Sequence, residues 1–303
     1  MKARIVVVGS FNTDLTAYME RMPRPGETVH GRKFVIGPGG KGSNQAIAAA
    51  RLGAEVIFVG RVGQDVFSEI ALRTWEQEGI NTRFVVRDAE NSTGVAPIFV
   101  DDSGENSIVV ILGANLAVST MDVDAAADVI AQADIVVTQL EITDDTTAYA
   151  LKVARERGIR TILNPAPAGH VSRDLLALAD FITPNETELE GLAGTSGAQV
   201  EDAARSLISR DDQNVIVTLG AQGACWVHRA GASIIPAFKV DVVDTTGAGD
   251  AFNGGLAVAL AEGKGLQDAI AFANATAALC VTRPGTAPSM PQRSEVEALL
   301  ARA

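Results

Sequence analysis

The chain has 303 residues, 47% apolar and 20% charged, close to the average for soluble globular proteins, which excludes wholesale disorder, collagen-like and coiled-coil architectures. Asp and Glu number 37 against 25 Lys and Arg, a formal charge of −12. That balance argues against nucleic acid or an anionic membrane as a partner for the whole surface, so any polyanionic ligand has to be held by a local set of donors. The cysteines, Cys225 and Cys280, lie far apart and make neither a disulfide framework nor a four-ligand zinc pattern, so a reducing compartment is the simpler reading.

The apolar run at 5–8 is too short for a signal-peptide core, and no stretch approaches the ~20 apolar residues of a membrane span; a soluble cytoplasmic protein is expected. Residues 4–8 are β-branched without interruption, as in a strand covered on both faces. Strand-like segments at 15–19 and 30–36 flank a Pro/Gly-rich turn, and a second covered run follows at 55–59. Residues 65–78 place Val66, Phe67, Ile70 and Ala71 on one helical face. Three strand candidates then succeed one another at 82–86, 94–100 and 107–112 with no helix between them, joined by turn residues such as Asp102-Ser103-Gly104. Pro97 lacks a ladder donor and marks an edge or a bulge. Covered runs recur at 134–138, 161–163, 181–183 and 214–219, with helical patterns at 146–157 and 201–209, and from 244 onward the chain is helical at 247–261, 266–281 and 294–301. This alternation predicts an open, doubly wound, mostly parallel α/β sheet in a single domain spanning 1–303, carrying a small β appendage built from about 15–36 and 82–112.

In such sheets the ligand lies beyond the carboxyl ends of the strands. There the chain places Asn12 and Asp14, Gln139 and Glu141, Asn164, then Asn185, Glu186 and Glu188, and finally Gly220 and Gly223. Each alone reads as a capping or turn residue. Five polar strand ends on one rim suggest a long cleft for hydroxyl-rich and phosphate-bearing ligands.

Residues 37–44, Gly-Pro-Gly-Gly-Lys-Gly-Ser-Asn, satisfy G-x-G-x-x-G ahead of a helix at 45–51. They are not in the first βα turn, Pro38 has no N–H, and Val35 stands where a P-loop needs its first glycine. A structural turn, a dinucleotide site and close backbone approach to a small polar ligand remain open, with the last favoured. At 244–252, Asp-Thr-Thr-Gly-Ala-Gly-Asp-Ala-Phe sets a glycine-permitted turn before an apolar helix, so free N–H groups and a helix dipole make an anion site. Asp250 there is either a capping carboxylate or the base that takes an alcohol proton during phosphoryl transfer. His30, His170 and His228 make no catalytic spacing and read as surface or appendage residues, and G-x-S-x-G is absent, which leaves hydrolase readings without residues.

Gly39-Gly40-Lys41-Gly42-Ser43-Asn44, Asn185-Glu186-Thr187-Glu188 and the segment 244–250 resemble the two signatures and the N-x-x-E motif of the ribokinase-like carbohydrate kinases, and the likeness covers essentially the whole chain. The resemblance implies ATP-dependent phosphorylation of a sugar, D-ribose at its 5-hydroxyl, with another sugar such as deoxyribose or fructose, a nucleoside, or a catalytically silent sugar-sensing protein as alternatives. It implies Asp250 as the base and Gly247, Ala248 and Gly249 as the anion hole. Asn12, Asp14, Gly40, Lys41, Asn44 and Glu141 match sugar-contacting positions. Asn185 and Glu188 match the motif that organises Mg2+ and phosphate; Thr218, Gly220, Gly223 and Gly249 match nucleotide contacts, with Asn274 beside the adenine. Asp244, Thr246, Gly285 and Ser289 match the loop for an activating K+ ion, where the proline of Arg283-Pro284-Gly285 is tolerated because carbonyls do the binding. The appendage would be a lid over the sugar and the contact of a homodimer.

Overall fold

The computed structural model describes residues 2–169 and 171–302, so His170 lies outside the described residues. In chain order the elements are β1 (Arg4–Val8), β2 (Asn12–Met19), β3 (Gly31–Gly39), α1 (Lys41–Arg51), β4 (Glu55–Gly63), α2 (Val66–Gln77), β5 (Asn81–Asp88), β6 (Gly94–Val100), β7 (Asn106–Ile108), α3 (Thr120–Ala125), α4 (Ala127–Ile130) and β8 (Ile135–Thr138). There follow α5 (Asp144–Glu156), β9 (Arg160–Leu163), α6 (Arg173–Leu176), β10 (Phe181–Ile182), α7 (Glu186–Ala193), α8 (Val200–Leu207), β11 (Asn214–Thr218), β12 (Ala224–His228), β13 (Gly231–Ile235), α9 (Ala248–Ala261), α10 (Leu266–Cys280) and α11 (Arg293–Leu300).

Nine strands form the large sheet in the order β13-β12-β11-β10-β9-β8-β1-β4-β5. Every pairing from β5 to β11 is parallel, and β12 and β13 add an antiparallel hairpin. The uninterrupted apolar run of β1 follows from its central place: Ile5 and Val7 pack into the core with α1, α9 and α10, while Val6 and Val8 pack into the one on the other face with α3 to α5. Fully burying such side chains is worth ~1.5–3 kcal/mol each, so β1 tolerates no polar substitution on either face. The chain goes out from β1 to β4 and β5 on one side and returns to β8 on the other, which makes the β1/β8 edge a topological switch point. In register Val8 lies beside Val59 and Thr138, so the segments leaving β1 and β8 emerge side by side.

The second sheet has four strands in the order β3-β2-β6-β7. Two expectations about it are corrected. Residues 82–86 fall in β5, which pairs in parallel with β4 at the edge of the large sheet; their short apolar run carries no sign of which sheet it joins. Pro97 is not on an edge strand, because β6 lies between β2 and β7. Its carbonyl accepts from the Val109 N–H at 3.0 Å, and its missing donor falls where β7 has already ended at Ile108. The expected strand at 107–112 is accordingly short, continuing only as a bridge between Val95 and Ile111. The helix expected at 45–51 begins at Lys41, so four residues of the glycine segment are its first turn. Among the described residues no helix is long and apolar enough to cross a membrane.

Candidate active site

At the switch point Ser10 Oγ donates to Glu141 Oε2 at 2.5 Å, and the Lys41 N–H donates to the same oxygen at 2.9 Å. The first amide of α1 is thus occupied by a protein carboxylate, which removes the dinucleotide reading of the glycine segment. Its glycines serve close approach: Gly40 has φ +85°, and a Cβ there would sit 2.5 Å from Asn12 N, while one on Gly42 would sit 2.6 Å from Ser10 N. The start of α1 is pressed against the ends of the β1 and β8 strands, placing Lys41, Asn44 and Gln45 over them.

Gly247, at φ +82°, caps α9, so Ala248, Gly249 and Asp250 form its first turn. The side chain of Asp250 does not cap its own helix. Its Oδ2 accepts from Asn44 Nδ2 at 2.9 Å and its Oδ1 from Gln45 Nε2 at 3.1 Å. With the Asn44 nitrogen so engaged, Asn44 Oδ1 is left buried and without a partner, an acceptor that no protein group satisfies. Lys41, Asn185, Glu188, Thr218, Asp250 and the turn Gly247-Ala248-Gly249 border one cavity of about 140 Å3, at which the positive end of α9 is directed.

Charge is unevenly balanced here. Burial pushes the pKa values of Asp250, Glu141 and Glu188 up, opposed for all three by Lys41 and by hydrogen bonds. For Lys41 burial works downward, but Asp250, Glu141 and Glu188 together raise it, so it stays an ammonium ion. Asp14 is pushed up to about 6 by burial, against the Thr286 hydrogen bond and with help from Glu141 and Asp250. Among the described residues no three His, Cys, Asp or Glu side chains cluster as a metal cage. The donor set suits Mg2+ held mostly by phosphate and water, with Glu188 as a carboxylate at the cavity wall.

The sugar-contacting candidates are brought together from three elements. Asn12 and Asp14 lie on β2 where it pairs with the Gly37–Gly39 end of β3, and a Cβ on Gly39 would fall 2.3 Å from Asp14 Oδ1. Asn115 fixes the first of them: it accepts from the Phe11 N–H at 3.0 Å and donates to Phe11 O and Asn12 Oδ1, both at 2.9 Å. Asn12 therefore turns its amide nitrogen outward as a donor. Asn185 and Glu188 form a reciprocal capping box at 2.8 and 2.9 Å while bordering the cavity, so the capping function and the cavity wall coexist. Thr218 borders the cavity. Gly220 and Gly223 lie beyond it, both at positive φ, and Gly223 is required because a Cβ would approach Ile235 O to 2.1 Å. Asn274 stands apart, its nitrogen donating to Ile235 O at 3.0 Å and Pro236 O at 3.1 Å. In the candidate cation loop Asp244 accepts from the Thr246 and Gly285 N–H groups, each at 2.9 Å, joining the two segments, and Ser289 Oγ donates to Thr286 O at 2.6 Å. Both segments are folded against one carboxylate, which keeps their backbones side by side as a monovalent-cation loop would require.

Sequence reasoning left Gln45, Thr183 and Asn253 out of the site and reached Thr286 only as part of the candidate cation segment 283–289. All four are neutral side chains whose partners lie far away in the chain, and only the second half of the Gly-Gly-Lys-Gly-Ser-Asn-Gln run could have pointed to Gln45.

A base-like carboxylate at a helix N-terminus, facing a cavity walled by a lysine and an acidic capping box, defines a phosphoryl-transfer site on an α/β sheet. The description "pfkB family carbohydrate kinase" matches residues 2–293, and the chain belongs to that family of carbohydrate kinases. It is 42% identical to the ribokinase of Haemophilus influenzae over 299 residues, covering 97% of each chain. It is also 42% identical to the deoxyribokinase of Salmonella typhi over 291 residues, covering 95% of each. The structure of Arabidopsis thaliana ribokinase complexed with ribose and ATP superposes with a TM-score of 0.91 at 33% identity, covering 99% of both chains.

Proposed function

We propose that this carbohydrate kinase transfers the γ-phosphoryl group of ATP to the 5-hydroxyl of D-ribose, giving ribose 5-phosphate and ADP. The observation that carries the reading is the buried Asp250 carboxylate, held on both oxygens by Asn44 and Gln45 at the N-terminus of α9. In the reaction Asp250 takes the 5-hydroxyl proton as the sugar oxygen bonds to the γ-phosphorus, and the bond from that phosphorus to the ADP oxygen breaks. The N–H groups of the Gly247-Ala248-Gly249 turn face the charge on the moving phosphoryl group. Asn12 donates to a sugar oxygen, Asn44 Oδ1 and Asp14 accept from adjacent hydroxyls, and Lys41 and Glu141 fix the ring from the α1 side. Thr218, Gly220, Gly223 and Asn274 form the nucleotide end of the cleft.

Glu188 and Asn185 would hold Mg2+, which when bound offsets the charge of the β- and γ-phosphates. Asp244, Thr246, Gly285 and Ser289 would hold K+, keeping the neighbouring anion-hole turn in shape. The small sheet covers the sugar, and its exposed Phe34, Ile36 and Ile108 fit the contact of a homodimer.

Deoxyribose is the second reading, because the Salmonella deoxyribokinase is as similar to this chain as the Haemophilus ribokinase is. A coupled ADP-release assay over ribose, 2-deoxyribose, fructose and a nucleoside separates these. Ribose should give the highest kcat/KM; a higher value for another member of the panel reassigns the substrate. No turnover with any of them favours a silent sugar-binding protein.

A further inference from the structure

Gln45 is buried one residue after Asn44, and unlike Asn44 it has both side-chain polar atoms engaged by protein, leaving none for a ligand. Its Nε2 donates to Asp250 Oδ1 and to Asn164 Oδ1, both at 3.1 Å, and its Oε1 accepts from Gln139 Nε2 at 2.6 Å. Rotating this amide by half a turn would set three acceptor oxygens against one another, so an ionised Asp250 dictates its direction. Gln139 follows: with its nitrogen on Gln45, its Oε1 is left buried and unpartnered, confined by Gly9 and Gly42, whose added Cβ atoms would lie 2.2 and 2.9 Å from it. An unpaired buried acceptor is costly, so a structural role alone would not favour this arrangement. The chain of bonds continues from Asn164 Nδ2 to Thr183 O at 3.0 Å, from Thr183 Oγ1 to Asn253 Oδ1 at 2.6 Å, and from Asn253 Nδ2 to Gly249 O at 2.8 Å. It therefore begins at the switch point and ends in the anion-hole turn.

We propose that Gln45 is a positioning residue for phosphoryl transfer: its amide holds the Asp250 carboxylate in its cavity-facing orientation and ties it, through Asn164, Thr183 and Asn253, to the turn that receives the phosphoryl group. The inference rests on the reading of Asp250 as the base. Gln45 touches neither substrate, so its removal acts on turnover rather than on binding.

The groups whose charge faces Asp250 are Lys41 on α1, Asp14 on β2, Glu141 after β8, Glu188 on α7 and Cys280 on α10. None is altered by a change at position 45, so a shift in the acid limb of the pH profile reports the amide itself. In Gln45→Met, kcat for the sugar found best in the panel should fall roughly 10- to 100-fold, with both KM values within about threefold of wild type. The acid limb of kcat should move up by about half to one pH unit, and further in Gln45→Glu, where a second carboxyl shares the site. In an Asp250→Asn background, Gln45→Met should cost less than about twofold more, because residues acting as one unit are not additive. An unmoved acid limb in both variants, or losses that multiply in the double variant, overturns the proposal while leaving Asp250 as the base. Near-normal turnover of Asp250→Asn alone instead removes the base reading and this inference with it. Should Gln45→Met fail to fold, Gln139→Met, which leaves Gln45 Oε1 without its donor, carries the same expectation and the same overturning result.

Discussion

Thr286 Oγ1 lies 3.0 Å from Asp14 Oδ2 and 3.1 Å from Pro38 O, so a hydroxyl from the segment before α11 braces a carboxylate on the first strand of the small sheet. The adjacent Gly285 N–H is bound to Asp244, which places one short loop between the sugar side and the α9 turn. Thr286→Val keeps the shape of the side chain and loses this bond. A hydrogen bond to a charged group is worth ~1.5–3 kcal/mol, and at pH 8 the variant should raise the ribose KM roughly tenfold while kcat stays within about twofold. Steady-state curves in ribose at saturating ATP check this; a change in kcat with KM unmoved would assign Thr286 to the anion-hole side instead.

The pKa of Asp14, raised to about 6, has two consequences. Sugar affinity should weaken as the pH falls below about 6, because a protonated Asp14 loses half of its acceptor capacity, and Asp14→Asn should flatten that limb. For stability the sign is opposite. The folded protein holds this proton more tightly than the unfolded chain, so stability is lost as the pH rises from about 4 to about 6, by on the order of 2–3 kcal/mol. The melting temperature of Asp14→Asn should therefore gain on wild type across that window, measured without ligand, and remain constant relative to it above pH 7.

Gly94 opens β6 opposite Asn12, and a Cβ there would come within 2.1 Å of Asn12 Oδ1, 2.4 Å of Asn115 Nδ2 and 2.7 Å of Phe11 O. Gly94→Ala must push apart the pair that orients Asn12. Overpacking of this kind costs ~1–3 kcal/mol, so both melting temperature and ribose affinity should drop, with ATP affinity nearly unchanged. Equal losses for the two substrates would mean that the distortion spreads beyond the small sheet.

Chelating divalent cations should abolish turnover, since no described cluster of basic side chains could replace them beside Glu188 and Lys41. Replacing K+ with a bulky organic cation should lower kcat, and Asp244→Asn should blunt that difference. Identical rates in both salts would remove the monovalent ion from the reading.

Much of this arrangement is legible in the sequence, and for definite reasons. The Thr-Gly-Ala-Gly-Asp turn announces itself because the positive φ from which α9 starts calls for a glycine at 247, and β1 because a strand covered on both faces has no polar position. The unpartnered oxygen of Asn44 was not legible: the direction of this amide is dictated by Asp250, 206 positions away. Residues 82–86 misled for a similar reason, since the partner that makes β5 an edge of the large sheet is β4, across an intervening helix. Gln45 and Asn253 stayed hidden because a buried amide in a helix looks like any other until its bonds are traced.

Between β1 and β2 only Gly9, Ser10 and Phe11 separate the two sheets. None of the three is slack: Ser10 is bonded to Glu141, and the Phe11 ring packs edge-on against Trp75 at 5.3 Å. Asn12 and Asp14, proposed above to grip the sugar, are thus borne by the small sheet itself rather than by the platform beneath it. On the proposed reading, opening the cover withdraws Asn12 and Asp14 from the sugar in one movement and leaves only the α1 side to hold it, so the dwell time of a bound sugar should follow the lifetime of the closed arrangement.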